Sequence, residues 1–160
     1  MGQHGTDVAE HHGIRRSPHW PATERYFKEQ NPFCVACGKD RKMDESNIQI
    51  HHRIPFHFCI LLGRPDLELD PDNLVGLCET ETGLALPNHH LLLGHLDDFK
   101  SYNVDVEDDA EKKFFGMSSL QIKSNPDWIA KARNKPHAWA LMTDDEKKAL
   151  RKLMDTWYPV

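Results

Sequence analysis

The 160-residue sequence predicts an α+β fold in which a small pair of strands carries a metal-binding knuckle and helices lie at both ends. Two segments, NIQIHH (47–52) and NLVGLC (73–78), have the length and apolar pattern of short strands. A Cys-x-x-Cys turn, CVAC (34–37), precedes both of them. Helical patterns before residue 32 and after residue 104 predict the accessory helices.

Residues 1–17 predict a flexible arm, because three glycines interrupt the segment and no apolar period runs through it. A helix is expected from Pro21, which suits the first helical position, to Asn31-Pro32, where the second proline ends it. The N-terminus lacks the apolar core of a signal peptide, and no apolar run is long enough to span a membrane. A cytoplasmic protein without a membrane partner is therefore expected.

The stretch between the two strands, 55–72, holds three prolines and a glycine and predicts a long connecting loop. A second loop, ETETGLALP (79–87), follows the second strand. The segment NHHLLLGH (88–95) predicts a short helix, with Asn88 as its N-cap and Gly94 near its end.

Three further helices are expected towards the C-terminus. VEDDAEKKFF (106–115) predicts an acidic helix, and Ser124 is the expected cap of the next one. Thr143 heads the last helix, whose first turn is acidic as the helix dipole prefers. One face of that helix is expected to dock on the core, through Leu150, Leu153, Met154 and Trp157.

The formal net charge of −5 argues mildly against a nucleic-acid-binding protein. The acidic excess lies between residues 43 and 117, however, and both ends of the chain are net basic. A bound divalent cation would offset part of the central charge, and the basic ends could hold phosphates.

The four cysteines predict a structural zinc site. Without a secretion signal a disulfide framework is not expected, so the Cys-x-x-Cys pair indicates either a redox site or half of a zinc site. A redox pair normally begins a helix, whereas this one leads into a turn, which favours zinc. Cys59 lies in an apolar run and predicts a buried thiol, whereas His89 begins a helix after the last cysteine. The predicted tetrahedral ligands are Cys34, Cys37, Cys78 and His89.

The chain has eleven histidines, and their arrangement carries more information than their number. Five are expected to be solvated, in the arm or in a loop: His4, His11, His12, His19 and His137. His51-His52 end the first strand, Asn73 opens the second and His90 begins a helix, so a hairpin packed on that helix would bring them together. Histidine titrates near neutral pH and binds divalent metals when neutral, and phosphodiester hydrolysis needs both a base and a cation.

Four motifs in this order, CVAC, IQIHHRIPF, LDPDNLVGLC and NHHLLLGHL, resemble the HNH endonuclease family in its zinc-stapled ββα-metal (His-Me finger) form. The resemblance covers about residues 18–103 and leaves 104–160 as a helical extension packed on that core. It implies an endonuclease that hydrolyses DNA phosphodiester bonds, with a structural Zn2+ and a catalytic Mg2+ or other divalent cation. DNA is the expected partner, and the sequence does not predict an oligomeric state.

The resemblance also implies roles for individual residues. His52 matches the general base, and Asn73 matches the asparagine that pins the loop and orients that base. His51 and His90 match ligands of the catalytic ion. Many family members have Cys-His where this chain has His89-His90, and histidine can replace cysteine as a zinc ligand. The two neighbours lie about 100° apart on a helix, so each can face a different metal, and their metals could be exchanged.

Three assignments remain open. His95, five residues after His90, would lie about 140° around an ideal helix, a poor position for sharing an ion unless Gly94 breaks the helix. Arg53 and His57 flank the site, and either could contact the scissile phosphate. A non-catalytic zinc-stapled nucleic-acid-binding module and a purely structural zinc protein also explain the cysteines, but neither explains the histidine and asparagine pattern.

Overall fold

The computed structural model describes residues 15–38, 48–79 and 88–159, and within them helices surround a small antiparallel sheet. Strand β1 (Ile48–His52) pairs with β2 (Leu74–Cys78) in a register that sets Ile48 opposite Cys78 and His52 opposite Leu74. Every residue of both strands is buried. Both predicted strands and the α+β class are therefore confirmed, whereas most of the predicted arm at 1–17 and most of the predicted loop at 79–87 fall outside the described residues.

The helices are short apart from the first and the last. In chain order they are α1 (Trp20–Gln30), α2 (Phe56–Leu61), α3 (His90–Gly94), α4 (Val106–Asp108), α5 (Ser119–Lys123), α6 (Pro126–Arg133) and α7 (Asp144–Trp157). Helix α3 is a single π-helical turn, and α4 continues into a second one, Asp109–Lys113. Across the described parts of the chain, no helix is both long and apolar enough to cross a bilayer.

Helix α1 confirms the predicted N-terminal helix, with Pro21 in its first turn and its end just before Asn31. Trp20, its first residue, is buried in a core cluster that includes Ile48 and Ile50 of β1 and Leu77 of β2. Burying one large aromatic ring against the sheet anchors an otherwise polar helix to the hairpin.

The predicted loop at 55–72 is wrong, because this stretch folds into α2 and two 3₁₀ turns, Pro65–Glu68 and Pro71–Asn73. Its prolines occupy the residue before α2 and the first position of each turn. A proline at the start of a helical turn loses nothing, since its missing N–H would have no partner there. The prolines that suggested an irregular loop thus mark the starts of short helical turns.

The helix caps are partly as predicted. Asn88 Oδ1 accepts a hydrogen bond from Leu91 N at 2.9 Å, and Thr143 exchanges reciprocal bonds with the backbone and side chain of Glu146. The expected cap at Ser124 is wrong, because Asn125 Oδ1 accepts from Asp127 N at 2.8 Å and α6 begins at Pro126. An Asn side chain reaches the second backbone N–H beyond it, so the residue directly before the proline is the effective cap.

Helix α7 docks through a narrower face than predicted. Leu150 and Met154 are buried in a second core cluster that contains Phe58 and Cys59 of α2. Trp157 packs at the edge of this cluster, but 37% of the Leu153 surface is exposed, so its predicted place on the docking face is wrong. The division into a core at 18–103 and an extension at 104–160 stays a prediction.

The cysteine knuckle, residues 34–37, packs against the backbone of β2 at Gly76. Val35 N donates to the Gly76 carbonyl at 3.1 Å, and a Cβ at Gly76 would stand 2.7 Å from the carbonyl oxygen of Phe33. A glycine at this position lets two backbones approach each other closely. The first two cysteines are thereby placed beside Cys78 at the end of β2.

Gly76→Ala should therefore lower the free energy of unfolding by about 1–3 kcal/mol, because the new methyl group meets backbone that has no side-chain freedom to move. Urea denaturation of the zinc-loaded protein measures the change. Gly38→Ala is the matched control, since a Cβ there meets no atom within 4 Å, and it should stay within about 0.5 kcal/mol of the parent. Equal stabilities of the two variants would contradict the close approach at Gly76.

Candidate functional site

The four predicted zinc ligands form one cluster. Their donor atoms, three Sγ atoms and one ring nitrogen, lie within 4.8 Å of one another in Cys34, Cys37, Cys78 and His89. His89 Nδ1 is 3.5, 3.7 and 3.3 Å from the three sulfurs in that order. A tetrahedral ion with Zn–S near 2.3 Å and Zn–N near 2.0 Å would set N and S roughly 3.5 Å apart. The spacing of the donor atoms thus fits a metal ion such as zinc.

The protonation of these ligands also suits a cation. His89 Nε2–H donates to the Met117 carbonyl at 3.2 Å, which leaves the Nδ1 lone pair facing the sulfurs. Hydrogen bonds from Cys37 and Cys78 hold the pKa of the Cys34 thiol below its usual range, while the neighbouring sulfurs raise the pKa of Cys78. Three thiols this close cannot all ionise on their own, and a bound cation would remove that conflict.

Cys59 is the buried thiol that the sequence predicts. It is a fully buried residue of α2, and its Sγ donates to the Ile54 carbonyl at 3.5 Å. Burial raises the pKa of this thiol above its usual value. Cys59 is consequently a packing residue and lies outside the zinc-ligand cluster.

A second cluster contains three histidines, His51 from β1, His90 from α3 and His95 just after α3. One ring nitrogen from each lies within 4.8 Å of the others, and His90 Nε2 stands 3.1 Å from His95 Nε2. The ring of His51 meets both partners edge-on, with ring centroids 5.1 and 4.8 Å away.

The hydrogen bonds of this cluster leave ring nitrogens available for a metal. His90 Nδ1–H donates to the Glu79 carboxylate at 2.8 Å, and His95 Nδ1–H donates to the Ser101 carbonyl at 2.8 Å. In the neutral rings the two Nε2 lone pairs then face each other and repel, unless a proton or a cation lies between them. The bond from His90 lowers the pKa of Glu79 to about 2, so this carboxylate is charged at neutral pH.

His51 completes the donor set. Its Nε2 is buried and has no hydrogen-bond partner among the described residues, which is costly for a polar atom that has no ligand. Burial first, and then the neighbouring His95 and His90, lower the pKa of His51 well below its usual value. Neutral imidazole is the form that binds metals, and three imidazole nitrogens suit zinc or nickel better than Mg2+, which prefers oxygen ligands.

The π-helical form of α3 explains why His95 joins the cluster. In an α-helix a residue five positions on lies about 140° around the axis, whereas a π-helix is bonded between residues five apart and brings them to one side. The position of His95, which the sequence left open, is thus beside His90, and its role as a metal ligand stays a prediction. Gly94 leaves room for the ring of His51, because a Cβ there would stand 3.1–3.3 Å from its atoms.

Residues beyond the hairpin hold the π-helical turn in place. Asn103 donates from Nδ2 to the Leu93 carbonyl and from its backbone N to the Gly94 carbonyl, both at 3.0 Å. Trp128 Nε1 of α6 donates to the Leu92 carbonyl at 2.8 Å. These bonds satisfy carbonyls that the end of a helix leaves without a partner.

The chain reverses sharply after His95. Leu96 and Asp97 both adopt positive φ angles of 53° and 66°, a strained conformation for residues other than glycine. The reversal returns the backbone to the cluster, so that the Ser101 carbonyl can fix the ring of His95. Strain of this kind is typical of functional sites.

His52 lies beside the histidine cluster and lines the same cavity. Its Nε2–H donates to the Glu68 carbonyl at 2.8 Å, which fixes the tautomer and leaves Nδ1 as the proton acceptor. Its ring packs on Trp20, with centroids 4.7 Å apart. Burial, and next the charge of Arg16, lower the pKa of His52 to about 3, so the ring is neutral at pH 7.

Asn73 is fully buried and acts on the backbone that follows β1. Its Oδ1 accepts from Ile54 N at 2.9 Å, and its Nδ2 donates to the carbonyls of Ile54 and Leu67 at 3.1 and 3.0 Å. These bonds fix the chain two residues after His52. Asn73 is accordingly a positioning residue, and its predicted role of pinning this loop has a direct geometric basis.

The structure separates the two residues expected near a phosphate. His57 is buried and lines the cavity. Arg53 turns towards the C-terminal helix, where its Nε donates to the Val104 carbonyl at 3.1 Å and its guanidinium faces Trp157 and Tyr158. The structure thus does not bring Arg53 to the cavity.

Sequence reasoning missed three residues of the site. Arg16 and Lys100 line the cavity, and Glu79 orients His90. Arg16 falls at the end of the supposed flexible arm, and its spacing of four residues from Trp20 was the available signal. Glu79 directly follows Cys78, a predicted zinc ligand, and this adjacency was the available signal for it. His19 and His137 are exposed, as expected.

No model of a known protein family, no curated protein and no solved structure matches this chain. The geometry and chemistry of the two clusters are therefore the basis on which a function can be assigned.

Cys34→Ser should release the zinc, because it removes one thiolate from a four-ligand site whose occupancy holds the knuckle to the hairpin. Zinc content measured by atomic emission should fall by about one equivalent per chain relative to the parent. Cys59→Ser is the matched control and should retain its zinc, since Cys59 lies outside the cluster. A zinc-loaded, stable Cys34→Ser protein would refute the assignment of this ligand.

Gly94→Ala should weaken metal binding at the histidine cluster by about tenfold or more, because the added methyl group displaces the ring of His51. Titration calorimetry of the zinc-loaded protein with Ni2+ measures this second binding event. The zinc content should not change, because the cysteine cluster is untouched. Unaltered Ni2+ affinity would show that the ring of His51 is not a ligand.

Proposed function

We propose that this chain is a metal-dependent endonuclease that hydrolyses DNA phosphodiester bonds, with a ββα-metal core of the kind that its HNH-like motifs imply. The observation that carries the proposal is one cavity in which a cluster of three histidines adjoins a fourth, neutral histidine. The cluster offers a site for a cation, and His52 offers a base held in a single tautomer.

Each residue has a separate task in the proposed reaction. His51, His90 and His95 would hold a divalent ion, which supplies Lewis-acid stabilisation of the charge on the phosphorane and leaving oxygen. His52 Nδ1 would accept a proton from the attacking water, because its Nε2–H is committed to the Glu68 carbonyl. The imidazole donors favour a transition-metal ion over the Mg2+ that the family resemblance suggests.

The cysteine cluster is assigned a structural zinc in this proposal. Cys78 ends β2 and His89 immediately precedes α3, so an ion bound there would tie the hairpin, the knuckle and α3 together. The same zinc would fix the position of the catalytic cluster, since His89 is followed by His90 and Cys78 is followed by Glu79, which orients His90.

DNA as the substrate rests on the resemblance and on the charge of the cavity. The chain has 25 acidic and 20 basic residues, yet none of the described residues that line the cavity is acidic. Arg16 and Lys100 are basic residues in the lining. A cavity of this polarity attracts anions such as the phosphates of a nucleic acid strand.

The zinc-loaded protein should nick supercoiled plasmid when Ni2+, Zn2+ or Mn2+ is added, and more slowly with Mg2+. His52→Ala should lower the nicking rate by about 100-fold to 10,000-fold, because it removes the base and leaves the metal ligands in place. The Ni2+ affinity of this variant should stay unchanged in titration calorimetry. His137→Ala, at an exposed loop position, is the matched control and should cleave as the parent does.

Each outcome bears on a separate part of the proposal. An absence of cleavage with all four ions, on both DNA and RNA, would exclude an endonuclease and favour a non-catalytic binding module. Cleavage of RNA alone would correct the substrate. Full activity of His52→Ala would overturn the assignment of the base and leave the nuclease function standing.

A further inference from the structure

Arg16 is held at the wall of the cavity by two aromatic rings. Its guanidinium carbon lies 3.9 Å from the centroid of the Phe56 ring and 4.7 Å from that of Trp20. Stacking between rings fixes the plane of a guanidinium without using its N–H groups. Arg16 is thus oriented while its hydrogen-bond donors stay available.

One of these donors is buried without an acceptor. Arg16 Nη1 has no hydrogen-bond partner among the described residues, although the atom is shielded from solvent. The acidic groups that act on Arg16 are Glu68 and Glu24, and the Glu68 carboxylate already accepts from Ser17 N at 3.2 and 3.1 Å. A charged donor left in this state is costly, and an anionic oxygen is the group that would satisfy it best.

Arg16 shares its cavity with both His52 and the three-histidine cluster. The ring of Trp20 contacts both the Arg16 guanidinium and the His52 ring. An anion bound by Arg16 would therefore lie next to the atoms that the proposed hydrolysis requires.

We infer that Arg16 anchors a phosphate subsite, in which its planar guanidinium binds the non-bridging oxygens of a phosphodiester group on the substrate strand. Lys100 lines the same cavity and adds a second positive charge to its wall. A phosphate fits better than a lone carboxylate, because its oxygens can face Arg16 on one side and the histidine cluster on the other. The inference rests on the proposed function for the identity of the substrate.

The test measures binding without cleavage. A fluorescein-labelled 12-base-pair DNA duplex is titrated with zinc-loaded protein, with no second metal added, and fluorescence anisotropy is recorded at several salt concentrations. Arg16→Gln should weaken binding roughly tenfold and reduce the slope of log K against log salt by about 0.9, the share of one phosphate contact. Inorganic phosphate should compete with the duplex for the parent protein and much less for this variant.

Arg15→Gln is the matched control. Arg15 is the exposed neighbour of Arg16, so its substitution removes the same charge from the same segment without touching the cavity. Its affinity should change less than about threefold, as expected for one screened surface charge. Arg16→Lys keeps the charge but loses the planar fork, and it should bind more weakly than the parent at equal zinc content and thermal stability.

The results separate this inference from the proposed function. Equal duplex affinities of Arg16→Gln and Arg15→Gln would overturn the phosphate subsite, even if the parent protein nicks plasmid. Arg16-dependent binding of DNA and phosphate by a protein that never cleaves would support the subsite and overturn the nuclease. Should Arg16→Gln fail to fold, parental affinity in Arg16→Lys would overturn the role of the guanidinium.

Discussion

The facing ring nitrogens of His90 and His95 are the constraint around which this part of the molecule is arranged. Each ring donates its Nδ1–H elsewhere, so two lone pairs meet at 3.1 Å in a buried setting. That arrangement is unfavourable unless a positive charge is shared between them. Glu79, the Ser101 carbonyl and the π-helical turn together maintain it, which fits a site that is preformed for a cation.

The second feature is the way the two clusters share the backbone. One peptide bond joins the clusters directly at His89-His90, and a second joins Cys78 to Glu79, the carboxylate that orients His90. Side chains of consecutive residues diverge, which lets one segment contribute to both clusters without crowding them. Movement of the cysteine cluster would necessarily move the groups that hold and orient the histidine cluster.

The elements that local chemistry determines could be predicted from the sequence. The two strands follow from their apolar patterns, the cap at Thr143 from its reciprocal partner Glu146, and the cysteine cluster from the spacing of its residues. Positions of this kind depend on residues a few places away, so a single sequence contains the information that determines them.

The errors arose where distant contacts or unusual geometry decide the outcome. Arg16 lines the cavity because Phe56, 40 residues later, stacks on it. No pattern in the neighbouring sequence predicts a contact over that separation. Arg53 points away from the cavity, because it donates to the Val104 carbonyl and its guanidinium faces the aromatic residues at the end of α7. The place of His95 stayed open in the sequence, because an ideal α-helix would turn its ring away from His90, whereas the chain forms a π-helical turn there.

The π-helical turn of α3 also bears on how the number of residues between the two histidines can change. A π-helical turn is an α-helical turn that has taken in one additional residue, and its partners are five rather than four positions apart. Two histidines four apart on an α-helix share a metal ion in other proteins, as in the His-Glu-x-x-His motif. Loss of one codon from the leucine run of α3 would convert the present spacing to that one, so the two arrangements are a single deletion apart.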